Sequence, residues 1–120
     1  MALSESVTPV LVLIRTTLRP DCDVATYEAM DARMNELLRE IPGYLGVKGY
    51  TAEDGESVAI AEFASHEALV RWRDHPEHVA AQRAGRERFY ASYDVRVCGV
   101  ERAYEFSMAR VPQRLTKVGA

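Results

Sequence analysis

Between Trp72 and Tyr93 the chain gathers side chains that could hold an aromatic ligand and move a proton on it. His78, Gln82, Gly85 and Phe89 follow one another at spacings of four, three and four, which places them on one stripe of a helix. A neutral imidazole on that stripe is a base suited to a phenolic proton near neutral pH. Gln82 offers an amide to a developing oxyanion and Phe89 an apolar wall. Gly85 removes a side chain and opens room for a ligand or for a crossing backbone. Trp72, the only tryptophan, sits at helical spacing from Leu69 and serves either the core or the same wall. Arg15 directly follows an apolar run and could meet a phenolate, a carboxylate, or Glu62 across a sheet. Arg86 binds an anionic ligand or stays in solvent. Tyr50, Tyr93 and Tyr104 are strand tyrosines that can line a cavity, while His66 and His75 stand at helix starts and read as turn or cap residues.

Other chemistries lack their residues. There is no Ser-His-Asp order, no pair of carboxylates near the candidate pocket and no phosphate-cradling glycine loop. Cys22 and Cys98 have no partners at metal-ligand spacing, so neither a zinc site nor a disulfide framework is expected. A net charge of −3 argues against a nucleic-acid partner, and the basic stretch Arg83 to Arg88 is interrupted by Glu87. No apolar run approaches the roughly 20 residues of a membrane span, and Met1 to Thr8 do not resemble a secretion signal. The expected location is the cytoplasm.

The elements that must position these residues follow from periodicity. The 120 residues suit one domain, expected over 9–106, with an N-terminal extension at 1–8 and a C-terminal tail at 107–120. Val10 to Ile14 is a continuous apolar run and predicts a strand reaching Leu18. Val24, Tyr27, Met30, Met34, Leu37, Leu38 and Ile41 predict a long amphipathic helix, ended by Pro42 and Gly43. Residues 44–52 and 57–64 flank Asp54-Gly55, a hairpin signal. Ser65 predicts an N-cap for a short helix that stops at His75-Pro76, and Pro76 opens another running to about Tyr90. A last strand is predicted over Tyr93 to Phe106, with a bulge near Cys98-Gly99.

Strand, helix, strand, strand, two-part helix, strand is the α+β order of a ferredoxin-like split βαβ with a four-stranded antiparallel sheet. Helices on one face would leave Leu11 or Val12, Val47, Ile60, Val95 and Val97 exposed on the other. A two-fold homodimer packing sheet on sheet would cover them.

The run Ile41-Pro42-Gly43-Tyr44-Leu45-Gly46, the Asp54-Gly55 hairpin, Phe63 to Leu69, and Trp72-Arg73-Asp74-His75-Pro76-Glu77-His78 resemble the antibiotic biosynthesis monooxygenase family of dimeric α+β barrels. The resemblance covers roughly residues 10–106 and implies that fold and a homodimer. Its members include cofactor-independent oxygenases acting on polycyclic phenols, and heme-degrading enzymes. Trp72 matches a tryptophan on the pocket floor of both. Where the phenol oxidisers carry a tyrosine six residues on, this chain has His78; where they carry an asparagine four residues before, it has Ala68. The heme branch's axial histidine falls at Gln82, and its first-strand asparagine falls near Ile14 or Arg15.

The resemblance and the residues together lead to a monooxygenase needing neither metal nor flavin, acting on a small phenolic or polycyclic aromatic. His78, Trp72 and Gln82 are the expected catalytic group. Arg15, Arg86, Phe89, Tyr50 and Tyr93 are the expected substrate contacts. Heme binding or degradation is the alternative, and a non-oxidative ligand-binding or cyclase-like domain the third.

Overall fold

The computed structural model describes residues 8–108. Strand β1 (Val10–Leu18) leads into helix α1 (Val24–Leu38) and the hairpin of β2 (Tyr44–Thr51) and β3 (Ser57–Phe63). Helices α2 (His66–Arg73) and α3 (Pro76–Ala84) follow, then a π-helical turn at Gly85–Phe89 and strand β4 (Tyr90–Gly99). The sheet order is β2-β3-β1-β4 with every neighbouring pair antiparallel. This is the ferredoxin-like α+β arrangement, in which β3 lies between the two strands that α1 connects.

Local chemistry starts each helix where the sequence predicts. Asp23 accepts the Thr26 amide at 3.2 Å, Ser65 the Ala68 amide at 3.2 Å, and His75 Nδ1 the Glu77 amide at 3.1 Å, with Pro76 as the first residue of α3. Gly43 closes the passage from α1 to β2 at φ +92°, and a Cβ there would stand 2.6 Å from the Cβ of Ala68. The turn therefore packs its bare backbone directly on α2. Ala68 is fully buried beneath it, so a longer side chain at that position would have to push the turn away.

Three boundaries differ from expectation. Helix α1 ends at Leu38, three residues before Ile41. Strand β4 starts at Tyr90 and stops at Gly99, and residues 100–108 continue without regular structure. The ladder irregularities fall at Thr17/Leu18 and Tyr44/Gly46, and not at Cys98-Gly99. Most of the predicted tail, and the extension at 1–7, lie outside the described residues.

Side-chain parity along β1 decides which residues meet the helices. Val10, Val12, Ile14 and Thr16 point toward them; Val12 stands opposite Ala61 and Val97, and Ile14 opposite Ala59 and Val95. Val47 pairs with Ala61 and shares this side. The expected open-face set is thus corrected: Val47, Val95 and Val97 lie on the helix side, and the opposite face carries Leu11, Leu13 and Ile60 among Arg15, Lys48, Glu62 and Arg96. The core joins Val10, Val12, Ala61 and Phe63 of the sheet to Leu38, Ala68, Leu69 and Trp72. Phe63, 1% exposed, contributes roughly 3 kcal/mol by its burial alone. No helix among the described residues is long and apolar enough to cross a membrane.

Candidate active site

The helices do not close fully on the sheet. A cavity of about 610 Å³ remains between them, within the size range of small-molecule sites. Its floor is the helix-facing side of the sheet, including Val12, Ile14, Ala59, Ala61, Val95 and Val97, and its roof carries Met34, Leu38, Leu69 and Trp72. It opens beside β4, where Val95 and Val97 are 47% and 52% exposed.

Over this floor His78 stacks on Trp72, with ring centroids 4.3 Å apart and planes inclined by 27°. Residues six apart on a continuous helix project about 240° from each other and cannot stack. The break at His75-Pro76 makes the contact possible: α2 ends, His75 caps the new helix, and the first turn of α3 brings His78 back over the indole. Burial lowers the pKa of His78 below its ordinary 6.5, and it outweighs the nearby carbonyls of Arg73 and Trp72, which act the other way. The imidazole is therefore neutral near pH 7 and free to accept a proton. Its Nδ1 is buried without a hydrogen-bond partner. Gln82 lines the cavity one turn further along α3.

A second group of rings closes one end. Tyr27 meets Phe89 and Tyr90 edge-on at 5.6 and 5.8 Å, and Tyr90 meets Tyr93 at 5.6 Å. Gly85 matters to this group differently from expectation. A Cβ at Gly85 would lie 2.5 Å from Cε2 of Tyr90, so the space it vacates is taken by that ring and not by a ligand. Arg19 fastens the π-helical turn from outside, donating to the carbonyls of Arg86, Glu87 and Tyr90 at 2.7, 2.9 and 3.0 Å. These carbonyls would otherwise be orphaned at the helix end. Arg86 donates to the Tyr93 hydroxyl oxygen at 3.2 Å, which leaves the Tyr93 proton available to another acceptor.

Trp72, His78, Gln82 and Tyr93 thus all line the one cavity. Tyr50, 53% exposed on the edge strand β2, borders both this cavity and a shallow depression on the opposite face. The other expected contacts lie elsewhere. Phe89 is 2% exposed and belongs to the packing beneath Tyr27. Arg86 reaches the site only through Tyr93. Arg15 points to the far face of the sheet and pairs with Glu56 at 3.3 Å and Asp94 at 3.6 Å, not with Glu62. Its side chain and those partners are substantially solvated, so each pair contributes about 1 kcal/mol or less.

The cavity also holds residues that were not among the expected site residues: Tyr27, Glu28, Asp31 and Asn35 of α1, His66, which was read as a turn or cap residue, and Tyr90. Asp31 had a legible signal, because it lies four residues after Tyr27 and three before Met34, on the apolar stripe of its helix. No group of three His, Cys, Asp or Glu among the described residues could hold a metal ion.

An α+β sheet that keeps a ligand-sized cavity under its helices, with a histidine stacked on tryptophan beside it, defines a domain of ferredoxin-like fold. The chain belongs to the antibiotic biosynthesis monooxygenase family, whose model matches residues 9–84. It is 35% identical over 94 residues to the uncharacterized protein YqjZ of Bacillus subtilis, spanning 78% of this chain and 82% of that one. The fold is shared with SnoaB, a cofactor-independent oxygenase from Streptomyces nogalater, at TM-score 0.66 and 19% identity over 80% of this chain and 96% of that one. Rv0793 from Mycobacterium tuberculosis superposes at TM-score 0.64 with 26% identity, covering 85% of this chain and 99% of that one.

Burial of His78 sets a pH dependence. Its folded-state pKa is depressed, so the unfolded chain binds this proton more readily, and stability falls as the pH drops below about 6.5. Melting temperatures across about pH 8 to pH 5 should fall less steeply for His78→Gln than for the wild type. Equal slopes would contradict a buried neutral imidazole.

Proposed function

We propose that the protein is a cofactor-independent monooxygenase acting on a small electron-rich phenol or polycyclic aromatic, with His78 as its base. The observation that carries this is the neutral imidazole stacked on Trp72 above an apolar floor. In this scheme an aromatic ligand lies on the sheet valines and His78 removes a proton from its phenol or activated ring CH2. The resulting anion is delocalised, and Gln82 and the Tyr93 hydroxyl, itself polarised by Arg86, donate to its oxygen. Electron transfer to O2 and recombination give a carbon-bound peroxide. Loss of water then converts a CH2 to a carbonyl: one oxygen atom stays in the product, the other leaves as water, and the proton held by His78 is returned. Substrate supplies both electrons. Family membership supports an oxygenase of this kind, and SnoaB is an example of such chemistry on the same fold.

Heme is the less favoured reading: the position at which the resemblance implies an axial histidine is Gln82, a poor iron ligand, and the imidazole one turn earlier on α3, His78, is stacked on Trp72.

Oxygen-electrode measurements with anthrone- and quinol-type substrates should register substrate-dependent O2 uptake. His78→Ala should lower kcat by about 100-fold or more, as loss of a general base does. Oxygen uptake with none of them, or an unimpaired His78→Ala, would overturn the proposal.

The same proposal includes a homodimer joined through the face that carries Leu11, Leu13 and Ile60. Sedimentation should give twice the 13.5 kDa chain mass, and Ile60→Asp should shift it toward the monomer. A wild-type monomer at micromolar concentration would contradict this interface.

A further inference from the structure

The α1 side of the cavity carries charge where helical periodicity calls for an apolar side chain. Tyr27, Asp31, Met34 and Leu38 form the stripe of α1 that faces the sheet, and all four line the cavity. An aspartate on such a stripe is a local conflict of the kind found at functional positions. Glu28 adds a second carboxylate to the same wall. Among the described residues neither has an ion-pair partner. The arginines nearby are engaged elsewhere: Arg73, on the cavity wall, holds Asp74 at 3.0 Å, Arg33 holds Glu36 and Glu77 at 3.1 and 3.0 Å, and Arg86 donates to Tyr93. The charge of Asp31 is felt by Tyr27 and Tyr90, which line the same cavity together with Tyr93, and aromatic faces attract a cation. Partial desolvation, and after it the charge of Glu28, raise the Asp31 pKa above its ordinary value, while both carboxylates stay solvent-exposed at the edge of the cavity.

We propose that the ligand of this cavity carries a basic, positively charged nitrogen, which pairs with Asp31 among the tyrosines while its aromatic ring lies near His78. This rests on the cavity being the ligand site and narrows the substrate class to electron-rich phenols or polycyclic aromatics that also bear an amine, for which hydroxyphenyl-alkylamines serve as binding probes. Neutral phenols of the same shape bind less well, and carboxylated ones are repelled by Asp31 and Glu28 together.

Three probes of matched shape separate the outcomes: tyramine, 4-ethylphenol and 4-hydroxyphenylacetate, titrated at low salt and neutral pH. Fluorescence of Trp72, the only tryptophan, reports occupancy from inside the cavity. Tyramine should bind about tenfold more tightly than 4-ethylphenol, with 4-hydroxyphenylacetate weakest, from a partly solvated ion pair together with cation–π contacts. Asp31→Asn, which keeps the shape of the side chain, should bring tyramine down to the affinity of 4-ethylphenol. Equal binding of tyramine and 4-ethylphenol, or a tyramine preference that survives Asp31→Asn, overturns the charge assignment and leaves the cavity as a ligand site. Failure of all three to perturb Trp72 overturns the ligand site, and the charge assignment with it.

Discussion

The break between α2 and α3 is the constraint on which the site depends. A helix uninterrupted from His66 to Ala84 would carry Trp72 and His78 on different faces, one in the core and the other turned away from it. Pro76 cannot continue the hydrogen-bond ladder of α2, and His75 supplies the cap that lets a new helix begin at once. The reversal lays an imidazole flat on an indole that is itself 8% exposed and anchored in the core. Stacking shields the imidazole from water, and the same shielding keeps it neutral. Position and basicity of His78 thus have one cause.

The sheet contributes the other half. Phe63, Val12 and Ala61 pack against Leu38, Leu69 and Trp72 at one end of the helices, so the layers are held together there. Beyond that packed end Ile14, Ala59, Val95 and Val97 remain as floor, and the gap above them is the cavity. Gly43 on Ala68 and Gly85 under Tyr90 are two close approaches of bare backbone to a neighbouring side chain. The first closes the place where the resemblance implies an asparagine. The second puts a tyrosine ring where sequence alone suggested open space. Polar groups reach the cavity from α1, α3 and β4.

Element order, two of the helix starts and the hairpin were legible in the sequence because each rests on short-range chemistry: Ser65 and Pro76 at helix starts, Gly55 at φ +92° in the hairpin turn. The stripe through His78 and Gln82 was legible for the same reason. Which sheet face each strand residue occupies was not, because β1 is apolar on both sides from Val10 to Ile14, and alternation then carries no parity. Val47, Val95 and Val97 were accordingly expected on the wrong face, and Arg15 was expected near the ligand when parity sends it to the far side. The end of β4 was illegible because alternation persists beyond Gly99 although no strand pairs there. Asp31 escaped notice because an apolar stripe is found by its apolar members, and the exception among them is the residue that faces the cavity.

The most direct test of the central claim, that a neutral His78 faces a ligand across Trp72, is to follow the His78 ring resonances by NMR through a pH titration, with and without a saturating phenol. The expected result is a titration midpoint below that of an unperturbed histidine, with ring shifts that move when the phenol is added while those of His75 stay in place. A His78 that titrates like a solvated imidazole and ignores the ligand would contradict it.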